Sequence, residues 1–206
     1  KKLNFDTKNF RKFKDKIIYV VADYQKEKDF SNHIGGESLI EQHQRNNLEL
    51  GIKKANENDL IILSDSDEIP DLKKINQIKK KTKFTAFSQL MFMYKLNLQN
   101  LNESNWIGSK VCLKKDFPKP QKLRNMKFKK YPFWRIDKIK DLQIIKDGGW
   151  HFSYLQSPKN LLKKIASFSH GERNRPEFAS EKNIEEKIKK QENIFNLGFK
   201  YKKIDI

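Results

Sequence analysis

Cysteine is almost absent: Cys112 is the only one among 206 residues. A single thiol excludes an internal disulfide and any cysteine-built metal centre. Arginine is scarce too, at six of the 44 basic residues, the rest being lysine. Guanidinium is the group suited to bidentate recognition of phosphates and bases. The lysine bias therefore argues against a dedicated nucleic-acid surface, despite a net charge of +18. Together with abundant Asn and Ile, it reads as compositional drift plus solubility. No apolar run approaches the roughly 18 residues needed to cross a bilayer. No linker rich in Gly or Ser and no internal repeat is visible, so residues 1–206 read as one domain. Hydrophobic content is only 36%, but aromatic content of 12% supplies enough bulk for a core, and disorder should not dominate.

The apolar runs that exist are short and sharply bounded. Residues 17–22, I-I-Y-V-V-A, read as a buried strand ending at Asp23, and residues 60–63 as a second. A loop is expected over 25–36 and a helix over 37–56. Pro70 suits the first turn of a short helix running to about Lys80, with Leu72, Ile75 and Ile78 inward. Residues 84–96 alternate for long enough to form a strand and are apolar on both sides, which implies a central position. Residues 106–113 form another. The Pro- and Lys-rich stretch 116–133 is expected to be irregular and mobile. Residues 142–145 and 150–155 flank a Gly148-Gly149 turn. Ser157-Pro158 opens a helix to about Phe168, and Ser180 caps a last helix ending near Gly198. Strand, helix, acid-tipped strand and helix in that order argue for an α/β fold with a mostly parallel sheet flanked by helices.

Chemistry concentrates where the 60–63 run ends, in S-D-S-D-E-I-P. Two aspartates at i, i+2 on an extended backbone point the same way, so Asp65 and Asp67 could share one hard divalent cation, Mn2+ or Mg2+. The plain alternative is a solvated turn that caps the next helix. Glu68 could hold the loop or bind an acceptor. Residues 147–155, D-G-G-W-H-F-S-Y-L, form the second cluster. Trp150 offers a flat face for a sugar or base. His151, directed oppositely on an extended strand, is a candidate metal or diphosphate ligand, or else a hydrogen-bonded core histidine. Arg45 either pairs with Glu41 on its helix, faces a diphosphate, or buttresses Asp65. The stretch 163–175 mixes His170, Glu172, Arg173 and Arg175 around Gly171, suiting a lid over phosphates or an ordinary charged helix exit.

Taken together these stretches resemble glycosyltransferase family 17. The matching segments are E-Q-H-Q-R-N from Glu41, D-L-I-I-L-S-D-S-D-E-I-P from Asp59, G-W-H-F-S-Y-L from Gly149 and K-I-A-S-F-S-H-G-E from Lys164, with shorter echoes at Trp106-x-Gly108 and Leu123-Arg124. The resemblance implies a GT-A-like fold, a nucleotide-sugar donor such as UDP-N-acetylglucosamine, a divalent metal, inversion at the anomeric carbon, and a glycan acceptor. It makes Asp65 and Asp67 the metal and donor motif. It also implies a further strand and loop ahead of the point matching Lys1. In the inverting mechanism that follows, Asp65, Asp67 and His151 serve the metal, while Asp65, Arg45, Trp150 and Lys163 contact the donor. Glu172 is the preferred base for the acceptor hydroxyl, with Asp147 second. No nucleic acid is expected as partner. The expected location is the cytoplasm or the periphery of a membrane, in a bacterial or viral relative, rather than the Golgi. The rival readings are a basic nucleic-acid-binding module, a metal-dependent phosphodiesterase using the same acids, and a degenerate transferase fragment kept for interaction.

Overall fold

The computed structural model describes residues 7–22, 33–34, 37–129, 131–166 and 180–205. In chain order these hold β1 (His33–Ile34), β2 (Glu37–Ser38), α1 (Leu39–Asn47), β3 (Leu60–Leu63), β4 (Glu68–Pro70), β5 (Phe84–Met93), β6 (Leu98–Asn100) and β7 (Trp106–Leu113). There follow α2 (Pro120–Asn125), β8 (Leu142–Ile145), β9 (Gly149–Ser153), α3 (Pro158–Ala166), α4 (Glu181–Lys190) and β10 (Tyr201–Lys203).

The strand expected to be central is the hub. Nine of the ten residues of β5 are buried, as its two-sided apolar pattern requires. One edge of β5 carries β7 and then β6, both antiparallel; the other carries β8 and then β9, both parallel. The sheet continues antiparallel from β7 to β3, from β6 to β10, and from β9 to β4. It is therefore mixed, which corrects the mostly parallel sheet read from the order of elements. Strand direction follows from long-range pairing, and a short connection can reverse the chain as readily as a helix can cross it over.

The Gly148-Gly149 pair explains one such step. It does not turn a hairpin, because β8 and β9 never pair with each other; they lie in succession along the same edge of β5. Between them Asp147 takes a positive φ of 48°, and the Gly148 N–H donates to the Ser88 carbonyl at 2.6 Å. Gly149 has φ +129°, and a Cβ there would lie 2.1 Å from the Ile69 carbonyl oxygen, so only glycine lets β4 approach.

Two helices cover one end of the sheet. Leu161 and Ile165 of α3 and Ile184 of α4 are fully buried against Met91, Met93, Tyr94 and Leu98. Each such side chain contributes about 1.5–3 kcal/mol relative to exposure. Both helix starts follow the expected signals: the Asn160 N–H donates to Ser157 Oγ at 3.4 Å, and the Asn183 N–H to Ser180 Oγ at 3.2 Å. The Tyr94 hydroxyl ties the sheet to the segment after α4, donating to the Glu192 carbonyl and accepting from the Ile194 N–H, each at 3.1 Å.

Other expectations are revised. Residues 17–22 form no strand; Ile18 and Val21 are exposed, and β3 has only β7 as a partner among the described residues. Apolar composition there was not matched, among the described residues, by a neighbouring backbone to pair with. The helix read over 37–56 is β2, then α1, then a 3-10 turn at Leu48–Ile52. Pro70 ends β4 instead of opening a helix; Asp71 caps a 3-10 turn at Leu72–Gln77, and Leu72 is exposed. The stretch expected to be irregular contains α2, whose Leu123 is fully buried. α4 stops at Lys190, where Gln191 takes a left-handed conformation, and β10 follows. Asp23, and the loop over 25–36 apart from the short β1, lie outside the described residues, as does Phe168, the expected end of the helix opened by Pro158. No helix among the described residues is long and apolar enough to cross a membrane.

Candidate active site

The turn after β3 places three carboxylates in three environments. Asp65 ends the apolar run and meets two guanidinium groups, Arg124 at 2.9 Å and Arg45 at 3.8 Å. Arg45 comes from α1 and Arg124 from α2, which contact one another across this corner. The described residues contain four arginines, at 11, 45, 124 and 135. In a chain so poor in arginine, two of the four meeting one aspartate is a specific arrangement.

Glu68, at the start of β4, is buried. It accepts the Trp106 indole N–H at 2.9 Å and the Asp65 backbone N–H at 3.2 Å, and pairs with Arg124 at 3.3 Å. A carboxylate removed from water needs donors such as these to offset its lost hydration. Glu68 therefore joins the β3–β4 turn to α2 and β7. It is a positioning group, enclosed and fully engaged.

Asp67 is about a third exposed, as Asp65 is. Its backbone carbonyl accepts the Phe152 N–H at 2.8 Å, which fixes the turn on β9. Its carboxylate lies 3.8 Å from His151 Nδ1, too long for a hydrogen bond. His151 is buried, and that Nδ1 has no hydrogen-bond partner among the described residues. The imidazole stacks on Trp106, with ring centroids 4.8 Å apart and planes 16° from parallel. Trp106 thus orients both Glu68, through its N–H, and His151, through its face.

The β4–β9 register explains which residues share this face. Glu68 is opposite His151, and Ile69 is opposite Trp150. Successive side chains alternate across a strand, so the Glu68–His151 pair faces the buried cluster while Ile69 and Trp150 form a half-exposed pair on the reverse side. Trp106 occupies the aromatic place beside the histidine. Asp147 is exposed in the β8–β9 turn, at the other end of the ladder from Asp67. Lys163 is exposed on α3. Glu172, His170, Arg173 and Arg175 lie outside the described residues.

Beside the acids opens a basic cleft of about 490 Å³, lined by Arg45, Trp106, Lys110, Arg124, Lys127 and Phe128 among others. Lys110 is buried, and its ammonium donates to the carbonyls of Arg124 and, at 3.0 Å, Met126. Burial first, and the nearby Arg124 charge second, lower its pKa to about 8. Cys112 cannot serve as a nucleophile at neutral pH, because burial pushes its thiol up to about 12.

The unpartnered His151 nitrogen and the Asp67 carboxylate, 3.8 Å apart, offer one nitrogen and one oxygen donor to a divalent cation. Asp65 is committed to two arginines, and no group of three His, Cys, Asp or Glu gathers among the described residues. The residues missed as candidates from sequence are Arg124, Trp106 and Lys110. Arg124 and Trp106 entered only as minor echoes of the family resemblance. The available signal was the rarity of arginine.

With the acids, the stacked histidine and the basic cleft placed, comparison with known families becomes specific. The family model described as Glycosyltransferase family 17 matches residues 1–204, nearly the whole chain. The protein is an enzyme of the transferase class, acting on glycosyl groups. It belongs to glycosyltransferase family 17. No curated protein and no solved structure matches the chain.

Proposed function

We propose that the enzyme moves a sugar, N-acetylglucosamine by the family resemblance, from a UDP-sugar to a hydroxyl of a glycan acceptor, with inversion at the anomeric carbon. The observation carrying this reading is the Asp67–His151 pair, with its unpartnered imidazole nitrogen, beside a cleft bearing two arginines. A GT-A-like arrangement is part of the same proposal.

Asp67 and His151 would hold a divalent cation, Mn2+ or Mg2+; when bound, it supplies positive charge against the departing diphosphate. The remaining work falls to the chain's own groups. Arg45 and Arg124 border the cleft with their guanidinium groups aligned by Asp65, so a diphosphate would meet preset charge. Asp65 acts here as the group that keeps those arginines in place. Trp106 and Glu68 hold the imidazole and the β4 turn rigid, which preserves the donor-binding geometry. Glu172 takes the acceptor proton in this scheme, on its sequence position after α3. Asp147, at the far end of the ladder, is the weaker candidate. Trp150 sits on the reverse face and suits an acceptor sugar better than a donor held at His151. Lys163 remains a candidate for contacting the donor diphosphate.

Calorimetric titration with UDP-N-acetylglucosamine and UDP-glucose, with and without Mn2+, tests the donor and the metal together. Metal-dependent binding and turnover are expected, and Asp67→Asn should remove both while the melting temperature holds. Undiminished turnover in that variant would take the acidic turn out of the mechanism.

A further inference from the structure

The three most exposed large apolar side chains among the described residues are neighbours. Ile136 is 92% exposed, Phe133 81% and Trp134 67%. They occupy the loop between α2 and β8. This loop is organised internally: the Arg135 N–H donates to the Pro132 carbonyl at 3.1 Å, the Lys138 N–H donates to the Arg135 carbonyl at 3.3 Å, and the Lys140 ammonium donates to the Phe133 carbonyl at 2.5 Å. Phe133 and Trp134 meet edge to face, with centroids 5.2 Å apart. The backbone is thus braced to present apolar tips outward. Ordinary soluble surfaces scatter such residues singly, and a concentration of them marks an interaction site.

Their surroundings are cationic. Residues 127–140 read K-F-K-K-Y-P-F-W-R-I-D-K-I-K, six cations against one acid, Asp137. That acid is neutralised by Arg135 at 2.7 Å and Lys138 at 3.0 Å. Apolar tips ringed by lysine match the boundary of an anionic bilayer, where tryptophan prefers the headgroup level and each nearby cation adds attraction. A second copy of this chain is a poor partner, since it would bring its own cations and a net charge of +18. Single-stranded nucleic acid would use the rings for stacking, but it leaves the most exposed residue, Ile136, without a role.

We infer that the loop at residues 131–140 is a docking surface for an anionic lipid bilayer, seated by Phe133, Trp134 and Ile136 and held by Lys138 and Lys140. Phe128 lines both the groove beneath this loop and the basic cleft at Arg124. Docking here would keep the basic cleft close to the membrane, which, resting on the glycosyl-transfer reading above, would suit a lipid-borne acceptor.

Flotation with vesicles tests this without reference to turnover. The probes are phosphatidylcholine vesicles alone and vesicles in which about a third of the lipid is phosphatidylglycerol. The protein should float with the anionic vesicles, less so at high salt, and the triple variant Phe133→Ser, Trp134→Ser, Ile136→Ser should lose at least about tenfold in partitioning. Should the triple variant fail to fold, Ile136→Asp alone changes the most exposed of these side chains, and it should also weaken flotation. Absence of flotation, or flotation equal in wild type and variants, overturns the inference. So does single-stranded RNA binding that the same variants abolish while vesicles go unbound.

Discussion

Replacing Arg124 with methionine removes one guanidinium and keeps most of the side chain's volume. The Glu68 side chain is only 1% exposed, so it would lose its one ion-pair partner among the described residues and keep two neutral donors, the Trp106 indole and the Asp65 N–H, with the Lys110 charge also nearby. Breaking a buried pair by removing one member costs about 3–5 kcal/mol, because the surviving charge stays desolvated. The two remaining donors place this case at the low end, about 3 kcal/mol. The Arg124–Asp65 contact adds at most about 1 kcal/mol, since Asp65 is a third exposed and Arg45 still faces it. With a urea m-value of about 2 kcal/mol/M, the unfolding midpoint should fall by about 1.5–2 M. Neutralising the stranded acid should recover part of the loss, so Glu68→Gln with Arg124→Met should be milder than the two single effects summed, by about 1–2 kcal/mol. Equilibrium urea unfolding of the four proteins measures both quantities. A cost below about 1 kcal/mol for Arg124→Met, or strict additivity, would refute the claim that Glu68 is a buried charge sustained by Arg124.

Gly149→Ala should destabilise by more than about 3 kcal/mol, because the new Cβ meets the Ile69 carbonyl and φ is positive; thermal denaturation reads this out. Lys110 carries a pKa lowered to about 8 in the folded protein, so near neutral pH its charge opposes folding. As pH rises from about 8 toward the unfolded value of 10.5, the unfolded chain holds the proton that the folded one has released, and stability contributed at this site increases. Wild type should therefore gain on Lys110→Met across that window in urea unfolding at stepped pH; a constant difference would show that the ammonium is not desolvated.

Elements written in local pattern were legible in the sequence. Residues 60–63 and 106–113 appear as strands with the expected bounds, because a short apolar run or an alternating one has few other ways to bury itself. The caps at Ser157 and Ser180 are equally local, each a side-chain oxygen within three residues of the N–H it satisfies. The crowding of Asp65, Asp67 and Glu68 at a strand end was visible for the same reason. Residues 17–22 show the limit: their composition is that of a strand, yet a strand exists only where another backbone lies beside it.

By itself, the sequence determined the start of a central strand at residue 84, the acid-rich turn and the family. Each of these is carried by contiguous residues or by motifs in fixed order. The alternation reads on to 96, but the strand ends at Met93, where Tyr94 takes a positive φ. Tertiary structure alone decided that the sheet is mixed, that Trp106 and not Trp150 stacks on His151, and that Arg45 and Arg124 converge on Asp65 from two helices. Those outcomes depend on contacts between residues tens of positions apart. Periodicity states which face of an element is apolar; it does not state what that face, or the backbone edge beside it, will meet.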